Sequence, residues 1–560
     1  MSRRQQRTRS SMLWGAWADA LGFISELTTA ENLRRRTRGR DLDRPMAWSR
    51  IVGGRMGVRV ELPEGCYSDD TQLRLATSRA IANHGFDVEA FARVELPVWP
   101  GYALGGGRAS RAAAASMGKQ QANWANNFFD GWEKAGGNGA AMRIQPHVYA
   151  ANNLSSFSHL DDVIRNAVVT HGHPRGIVGA VFHAVGLSFA LERGVVPGPS
   201  MFSDLLDVTR DAITVFDRQP ELRAYWRPQW ERKMERSFEA AWMETVDEVA
   251  DALRVASPAW DGLRAAGQDR DHAMRAYDEL VHALRLDDEQ TRGSATLTSV
   301  AALLLASAFP DHPAQSAQVA ASRLQTDTDT IGTMAAAIVG AASPRPLLSP
   351  VMDEDYLISE ADRLCAIAEG RDAHVFPYPD LLSWQPPRSA LETSGLAGGE
   401  LALSGISRLT VIGEPTINKD GVWVWTRTNF GQSVLIKHRH DLRNLARGNW
   451  PVEGRVPAVE RLDERLEPES SSSIELRAIP GQLPLFDSAQ IDEPGETVES
   501  VLHWLARTEY RDEDLGKALR IIARNGTTRE VSQLAERMAT ELTKLEKRDR
   551  LPSASRDGND

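Results

Sequence analysis

The sequence predicts a mainly α protein with a small β-containing module placed late in the chain. Three observations lead there. From Met12 to about Gly370, alanine and leucine recur at helical spacing and strand-like alternation is nearly absent. After about residue 395 the pattern changes. The stretch "LTVIGEPTINKDGVWVWTRTNFGQSVLIKHR" (409–439) alternates β-branched and aromatic residues with polar ones. From Glu496 to Arg548 helical spacing returns.

Taken in order, residues 1–11 read as a disordered basic leader, and a helix follows in which Asp19 interrupts the apolar stretch. That interruption argues against a secretory signal, whose apolar region should be continuous. Residues 12–390 read as one all-α domain of many helices. Within it, "DDTQLRLATSRAIANHG" places Leu73, Ala76, Thr77 and Ala80 on one face. The helix of 174–194 is opened by Pro174 and closed by Gly194, and it is apolar on most sides, so it belongs at the centre. The run "VAALLLASAF" at 300–309 is too short to span a bilayer and reads as a core helix. Residues 395–449 form the β-containing module, with two or three antiparallel strands and turn signals at Lys419-Asp420-Gly421 and Asn429-Phe430-Gly431. Residues 450–494, rich in Pro, Glu and Ser, read as a linker. Residues 495–548 read as a C-terminal helical module of three helices, and the last residues as frayed.

Composition narrows the function. With 42% hydrophobic and 25% charged residues, the chain has the balance of a soluble globular protein, and no membrane role is expected. Its net charge of −11 gives no global pull toward nucleic acid or anionic lipid, although a local basic patch can still act. Two cysteines, Cys66 and Cys365, exclude a disulfide framework and fit a reducing, cytoplasmic setting. No Cys/His spacing points to zinc.

Two acidic clusters carry the chemistry. "CYSDDT" holds Ser68, Asp69 and Asp70; "QTDTDTIG" holds Asp327, Asp329 and Thr330. Each precedes an apolar-periodic helix, so each alone reads as an N-cap with acids favourable to the helix dipole. Together they offer four carboxylates and two hydroxyls, hard oxygen donors suited to Mg²⁺, Mn²⁺ or Ca²⁺. Convergence is not shown by the sequence.

The order of motifs resembles the ADP-ribosylglycohydrolases. "GAWADALGFISE" (15–26) is similar to the family's G-x-x-x-G-D-A-L-G start, and "YSDDTQLRLATSRAI" to its T-D-D-T helix. "GGNGAAMRIQP" (136–146) resembles S-x-G-N-G-[AS]-x-M-R-x-x-P, "THGHPRG" resembles T-H-x-x-P, and "DTDTIGTMAAAIVGA" resembles the G-D-T-D-T helix. The resemblance spans residues 12 to about 345. It departs from the pattern at Ala18, at Ser68 for threonine, and at Gln325-Thr326 for Gly-Gly. The Gly-rich turn of 101–113 also lacks the Asp that some members carry.

The resemblance implies an all-α orthogonal bundle with a central cleft. It implies a site for two Mg²⁺ ions, with Mn²⁺ as the alternative, held by Ser68, Asp69, Asp70, Asp327, Asp329 and Thr330. Asp69 or Asp70 would serve as ligand and base, assisted by Glu26; Gly137, Asn138, Gly139 and His171 would hold ADP-ribose. The implied activity is metal-dependent cleavage of the glycosidic bond between ADP-ribose and a protein or nucleic-acid target. The alternatives are a hydrolase of a free ADP-ribose derivative and an inactive ADP-ribose-binding protein. His147, His173 and His183 read as structural. The arginine run Arg34, Arg35, Arg36, Arg38, Arg40 and Arg44 reads as a solvated loop, with an anion-reading loop at the cleft mouth as the alternative. The C-terminal modules would serve targeting, self-association or partner binding.

Overall fold

The computed structural model describes residues 1–54, 57–119, 122–452 and 456–457, together with thirteen positions between 501 and 538. The chain divides into two units, Met1–Pro468 and Glu469–Asp560. In the second, the described residues are helical, and Val501, Leu505, Ala518, Ile522 and Leu534 share a core of their own. The expected linker lies, from residue 458 to 494, outside the described residues, as does the expected frayed end.

The first unit is mainly α, built around one helix pair. Helix Arg3–Ser25 runs beside helix Thr328–Ala342 along much of its length. Small residues allow this. A Cβ on Gly22 would lie 2.4 Å from the Asp329 Cα, and one on Gly340 2.9 Å from the Ser10 carbonyl oxygen. Side-chain hydroxyls then stitch the pair. Thr328 donates to the Gly22 carbonyl at 2.8 Å, Thr333 to that of Gly15 at 2.7 Å, and Ser11 to that of Ala337 at 2.7 Å. Residues 3–11, expected as a disordered leader, are therefore the first turns of this helix. Arg4 donates to three carbonyls at residues 148–151, and Arg9 pairs with Asp362. Their basic charge binds the body of the protein, a use that composition alone does not reveal.

Helix Pro174–Arg193 lies in the centre, as its apolar surface demands. It is long and apolar enough to cross a bilayer, but 94% of its apolar window is buried inside the protein. It packs on Ala295–Ala308 and Thr328–Ala342. His173 caps its start by accepting from the Arg175 N–H, and His183 is buried against Gln145.

Four sheets accompany the helices among the described residues, two of them minimal two-residue pairings at Ile81–Ala82 with Gly85–Phe86 and at His374–Val375 with Val456–Pro457. An antiparallel hairpin pairs Trp48–Val52 with Val58–Leu62, a region where no strand is expected from the sequence. A six-stranded antiparallel sheet follows at residues 394–438. Its main path runs Ser433–His438, Gly421–Thr428, Ser407–Val411, Glu400–Leu403, Ser394–Ala397, with Thr416–Asn418 paired beside Gly421–Thr428. Both expected turns are present, and Gly431 takes φ +102° at the second. This sheet belongs to the same unit as the helices. Trp423 and Leu435 share a core with Phe23, Trp48 and Leu62, and the Ser433 N–H and Tyr67 hydroxyl both donate to Asp353.

Candidate active site

Helix Arg3–Ser25 brings the two acidic clusters together. At its Asp19, one carboxylate accepts from the Ser68 N–H (2.9 Å), the Thr71 N–H (2.9 Å) and the Thr71 hydroxyl (2.6 Å). That fixes the start of helix Asp69–Arg79. At Gly22, less than one turn further along, the start of helix Thr328–Ala342 presses against the bare Cα. The two helix starts are thus held side by side, and the chain then leaves the helix at Glu26, beside both.

The result is a cleft of about 870 Å³. It is lined by Glu26, Asp69, Asp70, Asp327, Asp329 and Thr330 on one side, and by Gly137, Asn138, Gly139 and His171 on another. Every candidate residue from the sequence lines this cleft except Ser68. That residue is fully buried and acts as a helix cap, its hydroxyl accepting from the Asp70 N–H at 3.2 Å. One carboxylate oxygen each from Glu26, Asp327 and Asp329 all lie within 4.8 Å of one another.

The electrostatics report the same convergence. Burial, and then the charge of Asp327, push Glu26 up to about 8. Burial, then Asp19 and Asp327, push Asp69 up to about 7. Asp70 and Asp329 are driven well above the carboxylate range, by burial first and by the neighbouring acids next. Arg74 is fully buried one turn beyond Asp70 and opposes this shift, as Arg50 and Arg36 do at Glu26 and Arg111 at Asp69, yet the acids stay raised. Oδ2 of Asp70 is buried with no partner among the described residues. A divalent cation would answer each of these features, and the donors are all hard oxygens.

The opposite side of the cleft is shaped for a ligand. Asn138 is held by its neighbours, its amide donating to Asp327 Oδ2 at 2.9 Å and to the Thr298 hydroxyl at 3.2 Å. Its backbone N–H donates to the Gly293 carbonyl at 3.0 Å. Behind it, Arg143 donates to the Thr170 hydroxyl at 2.8 Å, and that oxygen lies 2.7 Å from Nδ1 of His171. Arg143 takes one lone pair of that hydroxyl, whose own proton is then free to go to Nδ1; in that tautomer Nε2 of His171 carries a hydrogen toward the cleft. Burial, then the Arg143 charge, push His171 down to about 3, so it is neutral. A Cβ at Gly139 would lie 3.2 Å from His171 and 2.9 Å from the Ser110 hydroxyl, which explains the glycine. Near the acids, a Cβ at Gly105 would sit 2.0 Å from Asp69 Oδ1.

Several functional residues are not apparent from the sequence. Asp19 reads there only as a polar break in an apolar stretch, although its place in "ADALG" marks it. Arg143 and Thr170 flank chosen motif residues. Arg50 and Arg111 line the cleft from outside any motif. The arginine run, expected as a loop, begins on a helix: Arg34, Arg35 and Arg36 lie on Ala30–Thr37, which Arg38 ends in the left-handed conformation. Most of its arginines are solvated: Arg35 pairs with Glu31, Arg44 with Asp43, and Arg38 lies 3.9 Å from Glu61. Arg36 is the exception. It donates to the Ile24 carbonyl at 2.7 Å beneath Glu26, and burial, then Arg50, lower it to about 10.

The sequence model of the ADP-ribosylglycohydrolase family matches residues 1–373. The chain belongs to the ADP-ribosylglycohydrolase family. Members are glycohydrolases of mainly α fold that act on ADP-ribose conjugates and typically depend on a metal. A solved structure described as an ADP-ribosylglycohydrolase-related protein complex is similar over 66% of this chain and 100% of its own, at 21% identity and TM-score 0.41. Comparison with curated proteins gave no match. The family match ends before the six-stranded sheet begins.

Proposed function

We propose that this protein is a Mg²⁺-dependent hydrolase that releases ADP-ribose from a modified macromolecule by cleaving its glycosidic bond. One observation carries the reading: two acidic helix starts, 258 residues apart from Asp69 to Asp327, meet in one cleft facing a Gly-Asn-Gly loop. Asp69, Asp70, Asp327, Asp329 and Thr330 would hold the metal, with Glu26 within reach. Ser68 contributes by capping its helix. When bound, Mg²⁺ would orient ribose hydroxyls, acidify a water and offset charge.

The protein's own groups do the rest. Gly137 and Gly139 let the backbone approach the ligand closely, and Nε2–H of His171 donates to a ribose or phosphate oxygen. The diphosphate is assigned to the start of helix Arg108–Met117, behind the Gly105–Gly107 turn, where exposed N–H groups favour an anion. The buried Ser110 hydroxyl lines the cleft there and has no partner among the described residues. The oxocarbenium-like transition state needs a nearby anion and a base for water. Glu26, raised and at the cleft mouth, supplies one. Asp69 or Asp70 supplies the other.

Calorimetry tests the reading. ADP-ribose should bind the wild type in the presence of Mg²⁺, more weakly without it, and not measurably to Asp327→Ala/Asp329→Ala. Release of ADP-ribose from arginine-, serine- and nucleobase-linked substrates then identifies the bond. Metal-independent binding that survives the double substitution would overturn the metal site. Tight binding with no release from any conjugate would make the protein an ADP-ribose reader.

A further inference from the structure

Helix Asp69–Arg79, which carries two of the cleft acids, is held at both ends by one turn of the six-stranded sheet. The turn spans residues 428–433 and is closed on itself. The Thr428 N–H donates to the Gln432 carbonyl at 2.9 Å, and the Gln432 N–H to the Thr428 hydroxyl at 2.9 Å.

At the far end, the helix's last residue, Arg79, is buried with Glu95, the two side chains 1% and 0% exposed. Arg79 donates to both Glu95 carboxylate oxygens at 2.7 Å and to Oε1 of Gln432 at 2.8 Å. Its guanidinium carbon lies 5.3 Å from the Phe430 ring centroid, a second contact from the same turn. At the near end, Tyr67 directly precedes the cap Ser68 and is fully buried. Its hydroxyl donates to Oδ2 of Asp353 at 2.7 Å, and the same oxygen accepts the Ser433 N–H at 2.8 Å. Asp353 stands at the cap position of helix Glu354–Ala368 with φ +58°, and its side chain caps nothing there. Gln432 and Ser433 are neighbours in the chain. One turn therefore reaches both the residue before the helix cap and the residue that ends the helix.

Stability alone does not account for this arrangement. An ion pair as buried as Arg79 with Glu95 recovers in attraction little more than burial costs it, and apolar side chains of the same volume would hold the fold as well. Directed bonds add position instead. A helix of 11 residues is a stiff rod about 16 Å long, so fixing its two limits fixes where its first turn lies. Asp19 secures N–H groups at that first turn, and the sheet turn secures the residues at its limits.

Residues 428–433 lie beyond the family match at 1–373. We infer that this turn is a positioning element of the acidic cleft. Through Asp353 and Tyr67 at one end and Arg79 at the other, it sets where Asp69 and Asp70 face the metal. This rests on the metal-dependent hydrolase reading above.

The test is calorimetric titration of the full chain with Mg²⁺, beside a Tm for every variant. Asp353→Ala should lower Mg²⁺ affinity at least fivefold. Asp353→Asn, which keeps an acceptor oxygen for both donors, should stay within twofold of wild type. Tyr67→Phe removes one bond and keeps the ring, so it stays informative if Asp353→Ala does not fold; it should lower the affinity about threefold. Ser188→Ala is the control. It deletes a buried hydroxyl 2.9 Å from Nε2 of His159, away from the cleft, and should lower Tm without changing Mg²⁺ affinity. Lower Tm with wild-type Mg²⁺ affinity in both Asp353→Ala and Tyr67→Phe would make the turn structural only. An equal loss of Mg²⁺ in Ser188→Ala would overturn the proposal in the same way. A wild type that binds no Mg²⁺ would sink the metal site itself, and this role with it.

Discussion

The helices that start at Asp69 and Thr328 both open with acids, and they use them differently. In the first, Ser68 does the capping and a buried carboxylate from another helix, Asp19, secures the surrounding N–H groups. In the second, Asp327 occupies the cap position without capping; its carboxylate takes a hydrogen bond from Asn138 instead. The first start is fixed by directed hydrogen bonds, and the second by close backbone packing on Gly22 together with the Thr328 hydroxyl's bond to the Gly22 carbonyl. Both arrangements leave carboxylates unspent at a helix N-terminus, where capping would ordinarily consume them. Acids that are present but not capping are the signature of a site.

The largest effect should come from the packed start. Gly22→Ala puts a methyl 2.4 Å from the Asp329 Cα, and backbone has no rotamer by which to yield. A cost of about 3 kcal/mol or more is expected, at the upper end for overpacking. It should appear as a lower Tm together with lost metal binding. A variant of wild-type stability would mean that the helix pair slides freely, and the contrast between the two starts would collapse.

Asp19→Asn comes next. The amide keeps one acceptor oxygen where the carboxylate serves three donors, so a buried N–H loses its partner at a cost of about 1–3 kcal/mol. Because Asp19 orients Asp69 and Asp70, metal affinity should fall about 10- to 100-fold, as for other residues that position ligands. Loss of stability without any loss of metal affinity would reduce Asp19 to a structural cap.

Ser68→Ala separates the cap from the ligands. Loss of an N-cap costs about 1 kcal/mol. The hydroxyl does not line the cleft, so ADP-ribose and metal binding should change less than fivefold. A hundredfold loss of metal would make Ser68 a ligand, as the family resemblance implies.

How much of this was legible in the sequence follows from the same contrast. Helix periodicity and the acid pairs are local, so the mainly α fold and the two acidic clusters could be read directly, whereas Glu26, Gly137, Asn138, Gly139 and His171 came only with the family resemblance. The Trp48–Leu62 hairpin could not be read, because its first strand, with half-buried Arg50 and exposed Ile51, has no alternation to set beside that of Val58–Leu62. Nor could the helical first residues, whose arginines find their partners some 140 to 350 positions away. Gln325 is a subtler case. It stands where the family resemblance places glycine, and it takes φ +71°, a left-handed conformation that suits glycine better than glutamine. Close approach at Gly22 exists only once distant segments meet.

His171 offers the smallest expected effect, which is none. Burial drives acids and imidazole alike toward their neutral forms, but a cation can return only the acids to charge. His171 lies at about 3, below its usual 6.5. Its contribution to stability is therefore fully present above pH 6.5 and is lost as pH falls from there toward 3, since the unfolded chain takes the proton first. Between pH 5 and 8 the folded ring should stay neutral with its hydrogen on Nε2, with or without Mg²⁺. Nitrogen-15 NMR of the imidazole would show constant shifts across that range. A titration near pH 6.5 would mean that Thr170 does not hold Nδ1 as an acceptor. The donor facing the ligand would then be a charge, and ADP-ribose affinity would rise on acidification instead of staying flat.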